Sequence, residues 1–155
     1  MKIKHLLAIV ISFLTLSCKK DGNGSLTIKI KSISSSFVPI NAPLQVVFDF
    51  TDNSGHAIDT IYMKKLRINQ RVPDTSNVEP PDFYLSAPSY QGTTKGQLQL
   101  DLGYENFLKY VYSPYAIDST TFESDSLVII FAAKDNAGNK SDTVSTGLIV
   151  VQRTQ

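Results

Sequence analysis

From Leu26 onward the chain alternates apolar and polar positions, the period-two pattern of strands that bury one face. Leu26, Ile28 and Ile30 interleave with Thr27, Lys29 and Lys31, which predicts a first strand there. Leu44, Val46, Phe48 and Phe50 interleave with Gln45, Val47, Asp49 and Thr51, and Asp52-Asn53-Ser54-Gly55 supplies the turn that ends the run. Asp59 to Asn69, rich in Ile, Tyr, Met and Leu, predicts a third strand in which Lys64 and Lys65 blur the two faces and suggest a bulge. Phe83 to Leu85 reads as a short edge strand, because Pro80, Pro81 and Pro88 deny the ladder donors on either side. Gln97 to Leu102 alternates again, with Leu98, Leu100 and Leu102 inward. Leu127 to Ala133 is nearly continuous apolar, as expected of a central strand covered on both faces, and Thr143 to Val151 closes the set. About seven short strands with only one helical turn, Glu105 to Tyr110, predict an all-β antiparallel sandwich, with a closed barrel as the alternative.

The segment before Leu26 follows a different logic. Lys2 and Lys4 precede an apolar run from Leu6 to Leu16, the layout of an export signal. A helix of about eleven residues, at about 1.5 Å each, falls well short of a bilayer core of roughly 30 Å. Leu14-Thr15-Leu16-Ser17-Cys18 resembles the lipobox of bacterial lipoproteins, with Thr15 where Leu is usual. The resemblance implies cleavage before Cys18 and lipid on its sulfur. Two features of the chain agree. Cys18 is the single cysteine, so it has no disulfide partner within the chain. Lys19-Lys20-Asp21-Gly22-Asn23-Gly24-Ser25 has the composition of a flexible tether. The lysines after the cysteine also resemble those of Bacteroidota lipoproteins, which implies an outer-membrane address, periplasmic or surface-exposed. The expected organisation is a lipoprotein signal peptide over 1–17, a lipidated cysteine and tether over 18–25, and one domain over 26–155.

Asp135-Asn136-Ala137-Gly138-Asn139 resembles the turn that joins the last two strands of bacterial immunoglobulin-like and fibronectin-like domains. Asn136 and Gly138 tolerate positive φ and Asp135 can cap the turn with its side chain. Over most of the chain after Cys18 the sequence is also similar to a family of uncharacterised Bacteroidota lipoproteins. The matching landmarks are Phe48 to Gly55, Ile61-Tyr62, Val72-Pro73, Pro80-Pro81 and Asp135 to Asp142; Asn53, Ser54 and His56 stand where that family has more acids. The resemblance implies an immunoglobulin-like β-sandwich and carries no activity.

Charge narrows the partners. After removal of the signal segment, 13 lysines and arginines face 14 aspartates and glutamates, so the basic excess of a nucleic-acid binder is missing. His56 is the one histidine beyond that segment, which leaves no zinc set, and a Ser-His-Asp arrangement would have to use it in a turn, with no nucleophile-elbow sequence anywhere in the chain. No glycine-rich phosphate loop is present. Calcium is the sharpest metal hypothesis: immunoglobulin-like topology would bring Asp52 and Asn53 near Asp135, Asn136 and Asn139, although the same residues are ordinary turn formers. The expectation is no cofactor. Residues 103–125 form a long connection carrying Tyr104, Tyr110, Tyr112 and Tyr115. These rings either stay exposed to stack on a glycan or anchor a protein, or the segment folds back through Phe107, Leu108 and Val111 as a short helix capping the sandwich. The second arrangement is the expected one. If the first strand starts at the end bearing the Asp52 and Asp135 turns, those turns face the membrane and the Arg71 to Asp82 loop and the tyrosines point away. The functional expectation is a non-catalytic module that binds or scaffolds a glycan or envelope protein. The alternative class is a small hydrolase using paired carboxylates.

Overall fold

A computed structural model of the chain describes residues 26–70, 82–87, 94–110 and 122–153. Residues 1–25, with the expected signal segment, Cys18 and tether, lie outside the described residues, as do residues 71–81, Tyr112 and Tyr115. Eight strands are described: β1 Leu26–Ile33, β2 Phe37–Val38, β3 Leu44–Asp52, β4 Ile58–Arg67, β5 Phe83–Ser86, β6 Lys95–Leu102, β7 Asp125–Asp135 and β8 Val144–Val151. One sheet has the order β1-β3-β6 and the other β2-β8-β7-β4-β5. The chain crosses between sheets after β1, β2, β3, β5 and β6, so this is an immunoglobulin-like β-sandwich and not a closed barrel. All pairings are antiparallel except that of β2, which runs parallel to β8.

The inward positions are those the alternation marks. Leu26, Leu44, Val46, Phe48, Ile61, Met63, Leu127, Ile129, Phe131 and Ile149 are buried between the sheets. Phe48 of one sheet meets Phe131 of the other edge to face, with ring centroids 5.0 Å apart. Each such side chain contributes about 1.5–3 kcal/mol by leaving water. Leu26 pairs with Asp52, so the chain enters the sandwich at the end that carries the β3–β4 and β7–β8 turns.

Two expectations are corrected. The irregularity in β4 falls between Ile58 and Thr60, not at Lys64 and Lys65. Beyond it alternation is unbroken, so Lys65 continues the inward row of Ile61 and Met63 and is buried. The outer side of β7 is also not covered: its inward residues are buried, whereas Ser126, Val128, Ile130 and Ala132 are half-exposed. An apolar run on both sides of a strand records a demand for cover, and the described chain meets that demand on one side only.

Candidate functional site

The half-open side of β7 belongs to a wider apolar face. Registers place Leu66, Val128 and Leu148 in one row across β4, β7 and β8. A second row runs through Ile68, Ser126, Val150 and Phe37, with the Ile68 amide donating to the Ser126 carbonyl at 2.7 Å. Toward the other end, Ala132, Tyr62 and Tyr84 form a row, the two tyrosine rings meeting edge to face at 5.0 Å. Tyr84 is 66% exposed, Leu148 53%, Ile68 49%, Phe37 48% and Leu66 38%, and these are the large exposed apolar side chains among the described residues. All five sit on this face. Scattered exposed apolar residues need no explanation, but a contiguous set on one flat sheet does.

The opposite outer face shows what solvated sheet looks like in this protein. On β1, β3 and β6 the outward residues include Lys29, Lys31, Gln45, Asp49, Gln97, Gln99 and Asp101, all exposed. They pair across strands: Gln45 Nε2 donates to Asp101 at 3.0 Å and Gln97 Nε2 donates to Asp49 at 3.1 Å. One face is thus finished for water, and the other is not.

The end where the chain enters brings together the residues considered for calcium. The Ser54 amide donates to Asp52 Oδ1 at 2.8 Å, the Ser54 hydroxyl also bonds that oxygen, and Ser54 Oγ lies 3.3 Å from Asp135 Oδ2. The Asn136 amide donates to the Ala57 carbonyl, fastening one turn to the other. Asp135 caps its own turn: Asn139 donates its amide to Oδ1 and its side-chain nitrogen to Oδ2, both at 2.7 Å. Burial pushes the Asp135 carboxyl up, but hydrogen bonds from Asn139, the Ala137 amide and Ser54 outweigh it and hold it below the ordinary 3.8. Asn53 and Asn136 are exposed, and Asp52 Oδ2 is buried without a hydrogen bond. A hard cation would meet one open carboxylate oxygen here and three already occupied by donors, which is the arrangement of a capped turn. Among the described residues no group of three or more His, Cys, Asp and Glu is placed to hold a metal ion.

At the far end the two described tyrosines of those considered for a stacking surface, Tyr104 and Tyr110, are buried instead. Tyr104 and Tyr110 are 3% and 8% exposed. Gly103 leads into a single π-helical turn, Tyr104–Leu108, whose Leu108 is fully buried, so the segment folds back as a cap. The Tyr104 hydroxyl donates to the Gln152 carbonyl at 2.7 Å, and the Tyr110 hydroxyl donates to the Lys65 carbonyl at 3.2 Å. Cations hold the Tyr110 ring: Lys65 Nζ lies 4.7 Å and Arg67 Cζ 4.5 Å from its centroid. Arg67 bonds Asp125 through Nε and Nη2, while Arg153 Nη1 approaches Asp125 Oδ2 at 3.3 Å and donates to the Tyr110 carbonyl at 2.8 Å. Burial, more than Arg153 and Arg67, lowers Lys65 to about 8 against the opposing pull of Asp125.

Sequence reasoning missed the outer face because alternation identifies which positions share a side without saying which apolar side finds cover. The available signal was the apolar parity shared by Val128, Ile130 and Ala132 in a strand whose other parity already filled the core. No protein-family model, curated protein or solved structure matches the chain.

Proposed function

We propose that the chain is a non-catalytic cell-envelope lipoprotein, tethered by lipid on Cys18 at the outer membrane, whose sandwich binds an envelope protein through the outer face of the five-stranded sheet. The observation that carries this reading is the collection of every large exposed apolar side chain among the described residues on that one face. Flat, mixed aliphatic and aromatic surface suits a protein partner, where Tyr and Leu side chains bury together at a desolvated centre. Of the tyrosines in the 103–125 connection, Tyr104 and Tyr110 are spent on the interior, and the exposed Tyr84 ring shares the face with aliphatic Leu66, Ile68 and Leu148, a mixture that suits a protein better than a sugar. The depression beside this face, about 420 Å³ and lined by Ile68, Asn69, Glu123 and Leu148 among others, holds a single acid, which gives no support to a carboxylate-pair hydrolase. Entry of the chain beside Asp52 supports an orientation in which the capped turns face the membrane and the outer face stands along its normal.

Capture from envelope extracts tests the binding surface. Leu148→Glu with Tyr84→Ala should lose captured partner at least tenfold, whereas Gln99→Ala on the polar sheet should retain it. Equal capture by the unsubstituted chain, the double variant and the Gln99→Ala protein would remove the face from the proposal. Lipidation is checked separately by palmitate labelling, which Cys18→Ser should abolish.

A further inference from the structure

We infer that the partner covering this face is a second copy of the same chain, packed sheet against sheet; this deepens the reading above and rests on it. The five large exposed side chains leave on the order of 500 Å² of apolar surface open. Half-exposed Tyr62, Val128, Ile130, Ala132 and Val150 extend the same surface. The total approaches the roughly 800 Å² that each partner contributes to a standard stable interface.

Shape and charge suit a copy of the chain. Two flat sheets stack about 10 Å apart with strands within about 30° of alignment, the same packing that already joins the two sheets inside the domain. The Ile68 to Phe37 row lies toward one end of the strands and the Tyr62 to Tyr84 row toward the other, with Leu66, Val128 and Leu148 between. A two-fold axis in the plane of the face and along the strands therefore lays that central row on its copy, Leu66 over Leu148. After removal of the signal segment, 13 lysines and arginines against 14 aspartates and glutamates leave a formal net charge of about −1, which gives copies little mutual repulsion. Attachment through Cys18 would also confine copies to one surface with their entry ends pointing the same way, raising their effective concentration. A two-fold axis along the strands preserves that common direction.

The test uses the full-length protein in its own membrane. Val128→Cys and Leu148→Cys place single thiols on the face, and Gln99→Cys places one on the polar sheet. The unsubstituted chain, whose one cysteine is Cys18, is the blank. A bismaleimide of about 10 Å span, matched to stacked sheets, should join two copies of the Val128→Cys and Leu148→Cys proteins. It should leave the Gln99→Cys protein as monomer. Adding Leu148→Glu to Val128→Cys should cut that homodimer at least tenfold with the melting temperature unchanged. Homodimer formed equally from Gln99→Cys would mean random collision and overturn the inference. Adducts of the face cysteines with a different protein alone would overturn the second copy and leave the binding face standing. Absence of every adduct from the face would overturn both.

Discussion

At the residue scale the most telling side chain is Lys65, an ammonium 3% exposed and lowered from 10.5 to about 8, chiefly by burial. The folded chain therefore holds this proton less tightly than the unfolded chain does. Below about pH 8 both states keep it, and folding carries a penalty of about 3 kcal/mol. Between about pH 8 and 10.5 the folded state has released a proton that the unfolded state still binds, so stability should climb through that window. Urea unfolding at stepped pH checks this, and Lys65→Met should flatten the profile. A wild-type curve that falls over the same interval would contradict the burial account. Asp135 carries the opposite sign, because its hydrogen bonds place it below the ordinary 3.8. Its contribution is complete above that value and is lost as pH falls through the folded pKa. Asp135→Ala should cost about 1–3 kcal/mol at pH 7 through the orphaned Asn139 donors, measured by thermal melting, with a smaller difference below pH 3.8. The Asp135 cap was legible in the sequence because Asp-Asn-Ala-Gly-Asn is a local signal. The burial of Lys65 was not, since its side depends on a register shift six residues earlier.

At the element scale, strands with clean alternation were legible nearly to their ends, and β3 is the clearest case. β7 extends past its expected span because Asp125 and Asp135, both inward and buried, hide its extent behind acidic letters. β2 has two residues and gives no period to read. Another device left only a faint trace: within β8, Gly147 at φ 74° occupies the register shift opposite Ile129, whose amide bonds Thr146 Oγ1 at 3.2 Å. Gly96 serves β6 differently, as the floor for the ring of Phe50 on the paired strand. A Cβ there would lie 2.8 Å from that buried ring. Gly96→Ala should therefore destabilise by about 1–3 kcal/mol, read as a lower urea midpoint with unchanged slope. Phe50→Leu in the same background should recover part of the loss by making room, a coupling that a backbone-entropy effect would not produce.

At the scale of the whole molecule, the two ends of the sandwich handle buried charge in different ways. Asp52 and Asp135 at the entry end are held by amides and a hydroxyl, with no lysine or arginine paired to either among the described residues. Asp125 at the far end is held by two arginines that also bind Tyr110. Little of this far end was legible, because Lys65, Arg67, Tyr110, Asp125 and Arg153 are separated along the chain and converge only once both sheets are closed. The outer face was legible as apolar but was read as covered, because sequence specifies the demand for cover and not its source. Arg153 follows the last strand, yet it contacts β7 and the segment after the π turn, while neighbouring Gln152 donates to the Val38 carbonyl and accepts from Tyr104. Arg153→Ala would strip one counter-charge from a fully buried carboxylate and the donor from the Tyr110 carbonyl. The expected loss is about 3–5 kcal/mol, measured by urea unfolding at pH 7. Replacing the whole charged set, Asp125→Leu with Arg67→Met and Arg153→Met, should cost less than Arg153→Ala alone, because the penalty lies in an incompletely compensated carboxylate and not in the absence of the ion pairs. A triple variant as unstable as the sum of its single substitutions would instead assign the loss to packing at the closing end.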